Sequence, residues 1–315
     1  MKILLTGATG FIGSHIAEES LRQGHQIFAL KRKSSNLWRC DDFKAKIHWI
    51  NSDNLEEIAP LITEINPEIL VHCAWNGVKA SERDNWIEQE KNLTFLVSLL
   101  ELIKSNSVRK IIALGSQAEY GNFEGAIDEN HPCTPNSAYG ASKVCASIII
   151  QSFSEINKIE WYWLRVFSVF GPREGKNWLI PATINSLLEN KTMELSPCEQ
   201  KYDYLFIKDF ARGLLSIINT PSDKSGIYNL SSGESHKLEI LLTYIEKKIA
   251  PDKDLLKIGC IPYRPNQVMH MQGISDAFNK QFGYKQIHNI YDGLDETINY
   301  YKNCKNIDYF CTTHF

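Results

Sequence analysis

Two residues four positions apart, Tyr139 and Lys143 in "SAYGASKVCA", have side chains that could do proton chemistry. Four positions are about one turn of helix, so both side chains leave the same face. An ammonium group beside a phenol stabilises the phenolate, and such a tyrosine can pass a proton to or from a substrate oxygen. Upstream, in "ALGSQAEYG", Ser116 follows an apolar run that reads as a strand. Its hydroxyl therefore stands at a strand's carboxyl end, where open α/β sheets bind ligands, and can hold the same oxygen. Spacing alone also fits an ordinary surface Tyr–Lys pair.

The first residues, "MKILLTGATGFIGSHI", point to what such a site would work with. Gly7, Gly10 and Gly13 follow a short strand and open a helix, with Thr9, Phe11 and Ile12 between them. Gly7 permits the tight turn, Gly10 lets backbone amides approach a pyrophosphate, and Gly13 lets helix and strand pack closely. The helix N-terminus adds unpaired N–H groups and a partial positive charge. The second strand ends where an acid would hold the hydroxyls of an adenosine ribose. It reads "FALKRKSSN", with Lys31, Arg32, Lys33 and Ser34 in that place. Cationic and hydroxyl donors suit an additional 2′-phosphate, which favours NADP(H) over NAD(H). At the end of the third strand Asp53, followed by Asn54, could cap a helix or hydrogen-bond the adenine.

These groups need elements to position them. Apolar strand-like runs ("KILLTG", "QIFAL", "KIHWIN", "PEILVHCAW", "KIIALGS", "EWYWLRVFSVFG") alternate with helical patterns, among them a stretch beginning at Pro60, "NWIEQEKNLTFLVSLLELIKSN" and "SAYGASKVCASIIIQSFSEIN". Such alternation predicts an α/β fold, a Rossmann doubly wound parallel sheet. After Gly171-Pro172 the alternation is lost, and aromatics and prolines gather in longer loops. The division expected is a cofactor domain over 1–171 and a smaller mixed α/β substrate-binding domain over 172–315. Segments around 203–232, "GIYNLSS" among them, are candidates to return to the first sheet.

Composition narrows the class. With a net charge of -3 and no basic face, a nucleic-acid partner is not expected. No apolar run reaches bilayer length, and no signal peptide is seen, so neither a membrane partner nor export is expected. Of the eight cysteines none forms a CxxC pair or joins a His cluster at zinc spacing, so no metal site is expected. Free thiols fit a reducing, cytoplasmic setting.

Taken in order, "TGATGFIG", "SQAEYG", "YGASK" and "LRVFSVFGP" resemble the extended short-chain dehydrogenase/reductase family, that of the nucleotide-sugar epimerases, dehydratases and ketoreductases. The resemblance covers nearly the whole chain. It implies Ser116, Tyr139 and Lys143 as the catalytic trio, a nucleotide-sugar substrate, and a homodimer built on a helical interface. The cofactor-binding set it implies adds Cys73, Ala74, Trp75, Leu114, Phe167 and Val169 to the residues above, with Tyr139 and Lys143 themselves. On the substrate side it implies Trp75, Ser116, Gln117, Ala118, Ser168, Tyr202 and Arg264. Arg264 resembles the arginine that grips the diphosphate. Tyr202 stands where many relatives have Arg, and Ser168 where they have Asn.

Gln117-Ala118 replaces the Asp-Glu that sugar 4,6-dehydratases of the family carry, and neither residue can do acid–base work, so dehydration is not expected. The epimerases usually retain NAD and carry an acid at the second strand end. The basic "KRKSS" instead favours a cofactor that arrives reduced and leaves oxidised. "YDYLFIKDF" and "PYRPNQVMHM" resemble the 4-ketoreductases that make 6-deoxyhexoses. The favoured expectation is thus an NADPH-dependent 4-ketoreductase. An NAD-retaining epimerase and a non-catalytic dinucleotide sensor are the alternatives.

Overall fold

A computed structural model describes residues 1–221 and 224–306. Strands β1 (Lys2–Thr6), β2 (Gln26–Lys31), β3 (His48–Asn51), β4 (Ile69–His72) and β5 (Lys110–Leu114) alternate with helices α1 (Phe11–Arg22), α2 (Leu55–Ile65) and α3 (Trp86–Ile103). A short strand β6 (Gly125–Ile127), helix α4 (Ala138–Asn157), β7 (Glu160–Val166) and β8 (Ser168–Phe170) follow. The remaining elements are α5 (Leu179–Leu188), β9 (Met193–Leu195), β10 (Lys201–Phe206), α6 (Ile207–Asn219), β11 (Gly226–Leu230), β12 (Ser235–Lys237), α7 (Leu238–Ile249), β13 (Leu256–Ile258), β14 (His270–Gly273), α8 (Asp276–Phe282) and α9 (Ile290–Asn306).

Seven of the strands form one sheet in the order β11-β7-β5-β4-β1-β2-β3, and every neighbouring pair is parallel. A parallel sheet is covered on both faces, and its strands must be apolar on both. Along β1, Ile3 and Leu5 join the core under α1 and α6, while Leu4 joins the core under α2, α3 and α4. The order runs outward in both directions from β1 and β4, so the crevice between them opens at the strands' carboxyl ends.

The second sheet runs β12-β10-β14-β6, with β8 also pairing with β10. Chain order does not separate the two sheets at residue 171. The small sheet takes β6 and β8 from before that point, and the large sheet takes back β11, with α6 packed on α1. The run expected as one strand over "EWYWLRVFSVFG" breaks at Phe167, where the chain leaves β5 for β10. Helix α2 begins at Leu55, before Pro60, because the Asn54 side chain caps it by accepting from Glu56 N.

The buried carboxylate of Asp203 holds the small sheet together. It accepts from the Ser232, Gly233 and Gly273 amides at 2.8–3.2 Å and from the Ser232 hydroxyl at 2.7 Å. The seven described cysteines are free, and Cys311 lies outside the described residues. No described helix is long and apolar enough to cross a membrane.

Two histidines are built into the large domain in neutral form. His15 on α1 donates from Nε2 to the Pro172 carbonyl at 2.9 Å and accepts at Nδ1 from Arg173 at 2.8 Å. His72, at the end of β4, shares a 2.8 Å hydrogen bond with the Thr6 hydroxyl. Burial first, then the positive charges of Arg173 and Lys143 respectively, push both down from 6.5 to about 3. The unfolded chain therefore binds more protons below pH 6.5, and stability that is full above that pH is lost as the pH falls toward 3. The buried Glu174 carboxyl, pushed up to about 8 by desolvation, takes up a proton on folding over the same range and opposes the two histidines. Urea denaturation at successive pH values should show the unfolding free energy falling by about 1.4 kcal/mol per unit near pH 5, the slope of roughly one net proton taken up. A flat profile between pH 6 and 5 would contradict the neutral burial of these two rings.

Candidate active site

The glycine turn sits where β1 meets α1. Gly7 has a left-handed φ of +74°, and a Cβ at position 13 would lie 2.1 Å from the Gly7 carbonyl oxygen. Only a glycine fits there, and its absence of side chain lets α1 point its unpaired first-turn N–H groups into the crevice. Gly10 is the N-cap, and no acidic side chain occupies the first turn. The Thr6 hydroxyl accepts from the Cys73 and Ala74 amides at 3.2 and 3.1 Å, which fixes the chain leaving β4 against the same turn. A Cβ at position 7 would meet Ala74 N at 2.7 Å. This cradle fits a dinucleotide's pyrophosphate.

At the exit of β2, Lys31 is half-buried and Arg32, Lys33 and Ser34 are exposed. None of their side chains has a hydrogen bond or ion pair among the described residues. Asp53 faces this turn and accepts from the Lys33 backbone N–H at 3.2 Å, so it neither caps the helix nor lies apart from the basic turn. Asn54, expected at the cofactor, spends its side chain on capping α2 and on Glu57. Phe167, also expected there, is buried in an apolar cluster with Tyr120, Phe123, Ile127 and Met271. Val169 pairs with Leu205 across β8 and β10.

The three expected catalytic residues come together between β5 and α4. Ser116 caps the turn over Gln117–Tyr120, its hydroxyl accepting from Ala118 N at 3.2 Å. Helix α4 presses on this turn backbone to backbone, for a Cβ at Gly140 would lie 2.3 Å from the Ala118 carbonyl oxygen. The small residues of "QA" and "YG" thus bring Tyr139 to Ser116. Burial raises the Tyr139 phenol above its ordinary value, while a hydrogen bond with Ser116, and then the Arg83 charge, act in the lowering direction.

Lys143 Nζ donates to the Leu114 carbonyl at 2.7 Å and lies 3.6 Å from the centre of the Trp75 indole ring, on its face. Burial pushes its ammonium down to about 7, with Glu119 and Cys73 acting in the raising direction. Its Nζ is 5.9 Å from the Tyr139 ring centre, and the cation acting on that phenol is Arg83. In this arrangement Lys143 is held by Leu114 and Trp75, with its Nζ over the Tyr139 ring at that longer distance. Trp75 in turn donates from Nε1 to the buried Gln89 at 2.8 Å.

Three contributors gave no signal in the sequence: Gln89, Arg83 and Glu119. Glu119, fully buried, accepts from Ser116 N at 2.8 Å, from Trp163 Nε1 at 2.9 Å and from Arg165 Nε at 2.8 Å. It replaces solvent for three donors at once and fixes the Ser116 turn to β7. A Glu–Arg pair at i and i+46 is a signal only once the topology is known. On the substrate side the structure is less convergent. Tyr202 donates its hydroxyl to the Val268 carbonyl at 2.9 Å, Ser168 lies in β8 opposite Tyr204, and Arg264 is exposed in the loop before β14.

A doubly wound sheet, a glycine turn at its first crossover and a Ser–Tyr–Lys group at the exit of β5 define the class of dinucleotide-dependent oxidoreductases and epimerases. A profile of the NAD dependent epimerase/dehydratase family matches residues 3–231, and the chain belongs to this family, an extended short-chain dehydrogenase/reductase group. Among relatives, it is 28% identical over 259 residues to the dTDP-6-deoxy-L-talose 4-dehydrogenase (NAD(+)) of Aggregatibacter actinomycetemcomitans, covering 79% of this chain and 90% of that one. It is 24% identical over 303 residues to the CDP-abequose synthase of Salmonella muenchen, covering 94% and 97%. The fold matches that of the UDP-glucose 4-epimerase of Thermotoga maritima with a TM-score of 0.85 at 20% identity, over 97% of this chain and 100% of that one.

Removing one member of a buried ion pair strands the other, at a typical cost of about 3–5 kcal/mol. Glu119→Gln and Arg165→Met should each lower the unfolding free energy by roughly 3 kcal/mol in urea titrations, and Glu119→Gln combined with Arg165→Met should lose less than the sum. Strict additivity would show that the two do not act as a pair.

Proposed function

We propose that the protein reduces the C4 ketone of a nucleoside diphosphate 4-keto-6-deoxyhexose with NADPH, yielding a 6-deoxyhexose of the kind used in surface polysaccharides. The observation that carries this reading is the β2 exit, where Lys31, Arg32, Lys33 and Ser34 stand in place of an acid with their side chains uncommitted. A 2′-phosphate offers several acceptors and negative charge to such a turn. A cofactor that is released and replaced supports a net reduction. Gln117 and Ala118, the two residues after Ser116, carry no acid, and the carboxylate of Glu119 is taken up by Ser116 N, Trp163 and Arg165, which supports the same reading because no free carboxyl is left there to drive a dehydration. The relatives named for a 4-dehydrogenase and for an abequose synthase are in keeping with chemistry at a 6-deoxyhexose.

A bound nicotinamide would supply the hydride. The chain's own residues supply the rest. Ser116 and Tyr139 hold the ketone oxygen from two sides, and Tyr139 gives up its phenolic proton to that oxygen as negative charge develops on it. Solvent then restores the proton. Lys143, with one hydrogen bond on Leu114 and one ring face on Trp75, keeps donors for the cofactor's ribose hydroxyls.

A second reading, an NAD-retaining epimerase, is favoured by Asp53. Its carboxylate stands at the basic turn and could take the ribose hydroxyls of NAD. The exposed apolar residues Trp86, Ile87 and Val97 on α3 and Ile148 on α4 support a homodimer through these neighbouring helices.

The readings separate in one assay. Mixed with NADPH and a panel of dTDP-, CDP-, GDP- and UDP-linked 4-ketosugars, the protein should consume cofactor in step with one of them, and Tyr139→Phe should slow turnover about 100-fold or more while leaving cofactor affinity unchanged. Sugar interconversion without cofactor loss, by protein purified with bound NAD, would favour the epimerase. Turnover unaffected by Tyr139→Phe would remove the proposed acid.

A further inference from the structure

Arg83 lies in the loop between β4 and α3, a stretch with no periodicity and no motif. The fold nevertheless ties it to Tyr139 twice. Its carbonyl accepts from the Tyr139 backbone N–H at 2.8 Å, so the Arg83 main chain occupies a donor at the start of α4. Its guanidinium carbon stands 5.2 Å from the centre of the Tyr139 ring, over the face. The side chain is held there by Nε, which donates to the Val78 carbonyl at 3.0 Å. Asp84 strengthens the same junction, accepting from Ala138 N at 3.3 Å. The terminal nitrogens of Arg83 have no hydrogen bond or ion pair among the described residues, and its side chain is only half exposed.

A cation over a phenol ring is attracted by the π face, and attracted more strongly when the ring carries the charge of a phenolate. The groups facing Tyr139 are few: the Ser116 hydroxyl, Arg83 from the loop, Lys143 from its own helix, and Glu119 from the turn under it. Glu119 opposes the phenolate and Lys143 is 5.9 Å from the ring centre, occupied by Leu114 and Trp75. Arg83 is also a permanent cation, whereas burial brings the Lys143 ammonium down to about 7.

We propose that Arg83 is a positioning residue for the proton transfer, a second cation that favours the Tyr139 phenolate through the face of the ring. It rests on the reading of Tyr139 as the proton donor. In the reductive direction Arg83 stabilises the charge left when the proton departs, and in the oxidative direction it holds the base ready. Because its backbone does the capping, changing the side chain leaves the start of α4 intact.

A difluorinated tyrosine placed at position 139, intrinsically more acidic than tyrosine, allows the phenol to be titrated by fluorine NMR within the range where the protein stays folded. The titration uses the full chain without substrate, so it stands whichever sugar is reduced and even if none is. Arg83→Gln should raise the midpoint by about one pH unit, the effect of a nearby charge lost from a partly buried site. Arg83→Lys should raise it by less, and the thermal midpoint should stay the same in all three proteins. Coincident midpoints in the parent and Arg83→Gln would overturn the proposal, as would a shift accompanied by an equal one in Arg83→Lys. Loss of NADPH turnover in every nucleotide sugar tested, with the shift intact, would instead count against the reductase reading alone.

Discussion

A carboxylate without access to water, that of Glu119, is the interaction on which the rest of the site depends. It takes one hydrogen bond from the Ser116 amide and others from Trp163 and Arg165, so a single side chain joins the turn after β5 to the strand beside it. Burying a charge is costly unless its partners are all present, and here two oxygens meet three donors in fixed positions. The turn is therefore rigid. Against its carbonyl at Ala118 the start of α4 can pack without any side chain between, through Gly140. The distance between Ser116 and Tyr139 follows from those two contacts.

The charges near the proton donor are layered in consequence. Burial disfavours the charged form of both groups, raising the Tyr139 phenol and bringing the Lys143 ammonium down to about 7 even with Glu119 and Cys73 acting the other way. Glu119 supports the ammonium and opposes the phenolate, and Arg83 works in the other direction on the phenol. Trp75 adds a ring face to the ammonium and is itself held by Gln89, whose amide also donates to the Gly77 carbonyl at 2.9 Å. The loop after β4 thus does more than connect. It carries Trp75 to one cation and contributes the other.

Much of the fold was legible in the sequence, because a parallel sheet covered on both faces requires continuous apolar runs and a glycine turn at its first crossover. Runs such as "KILLTG" and "KIIALGS" became β1 and β5, and the trio Ser116, Tyr139 and Lys143 lies together. Other features were set by contacts distant in the chain. The break at Phe167 exists because β8 finds its partner in β10, which no local pattern announces. Pro60 hid the true start of α2, fixed by the Asn54 cap. Glu119, Gln89 and Arg83 carry no signal of their own in the sequence, and only the topology places donors and rings beside them. Patterning reports which faces are apolar, and it is silent on which buried polar groups will find partners.

The direction of electron flow is the central claim, and isotope transfer tests it most directly. With NADPH carrying deuterium at the transferable position, incubation with the 4-ketosugar panel should give one product sugar with deuterium at C4, one label for each cofactor oxidised. Label that stays on the cofactor while sugars interconvert at C4 would contradict the account, and would identify the protein as an epimerase that keeps its cofactor.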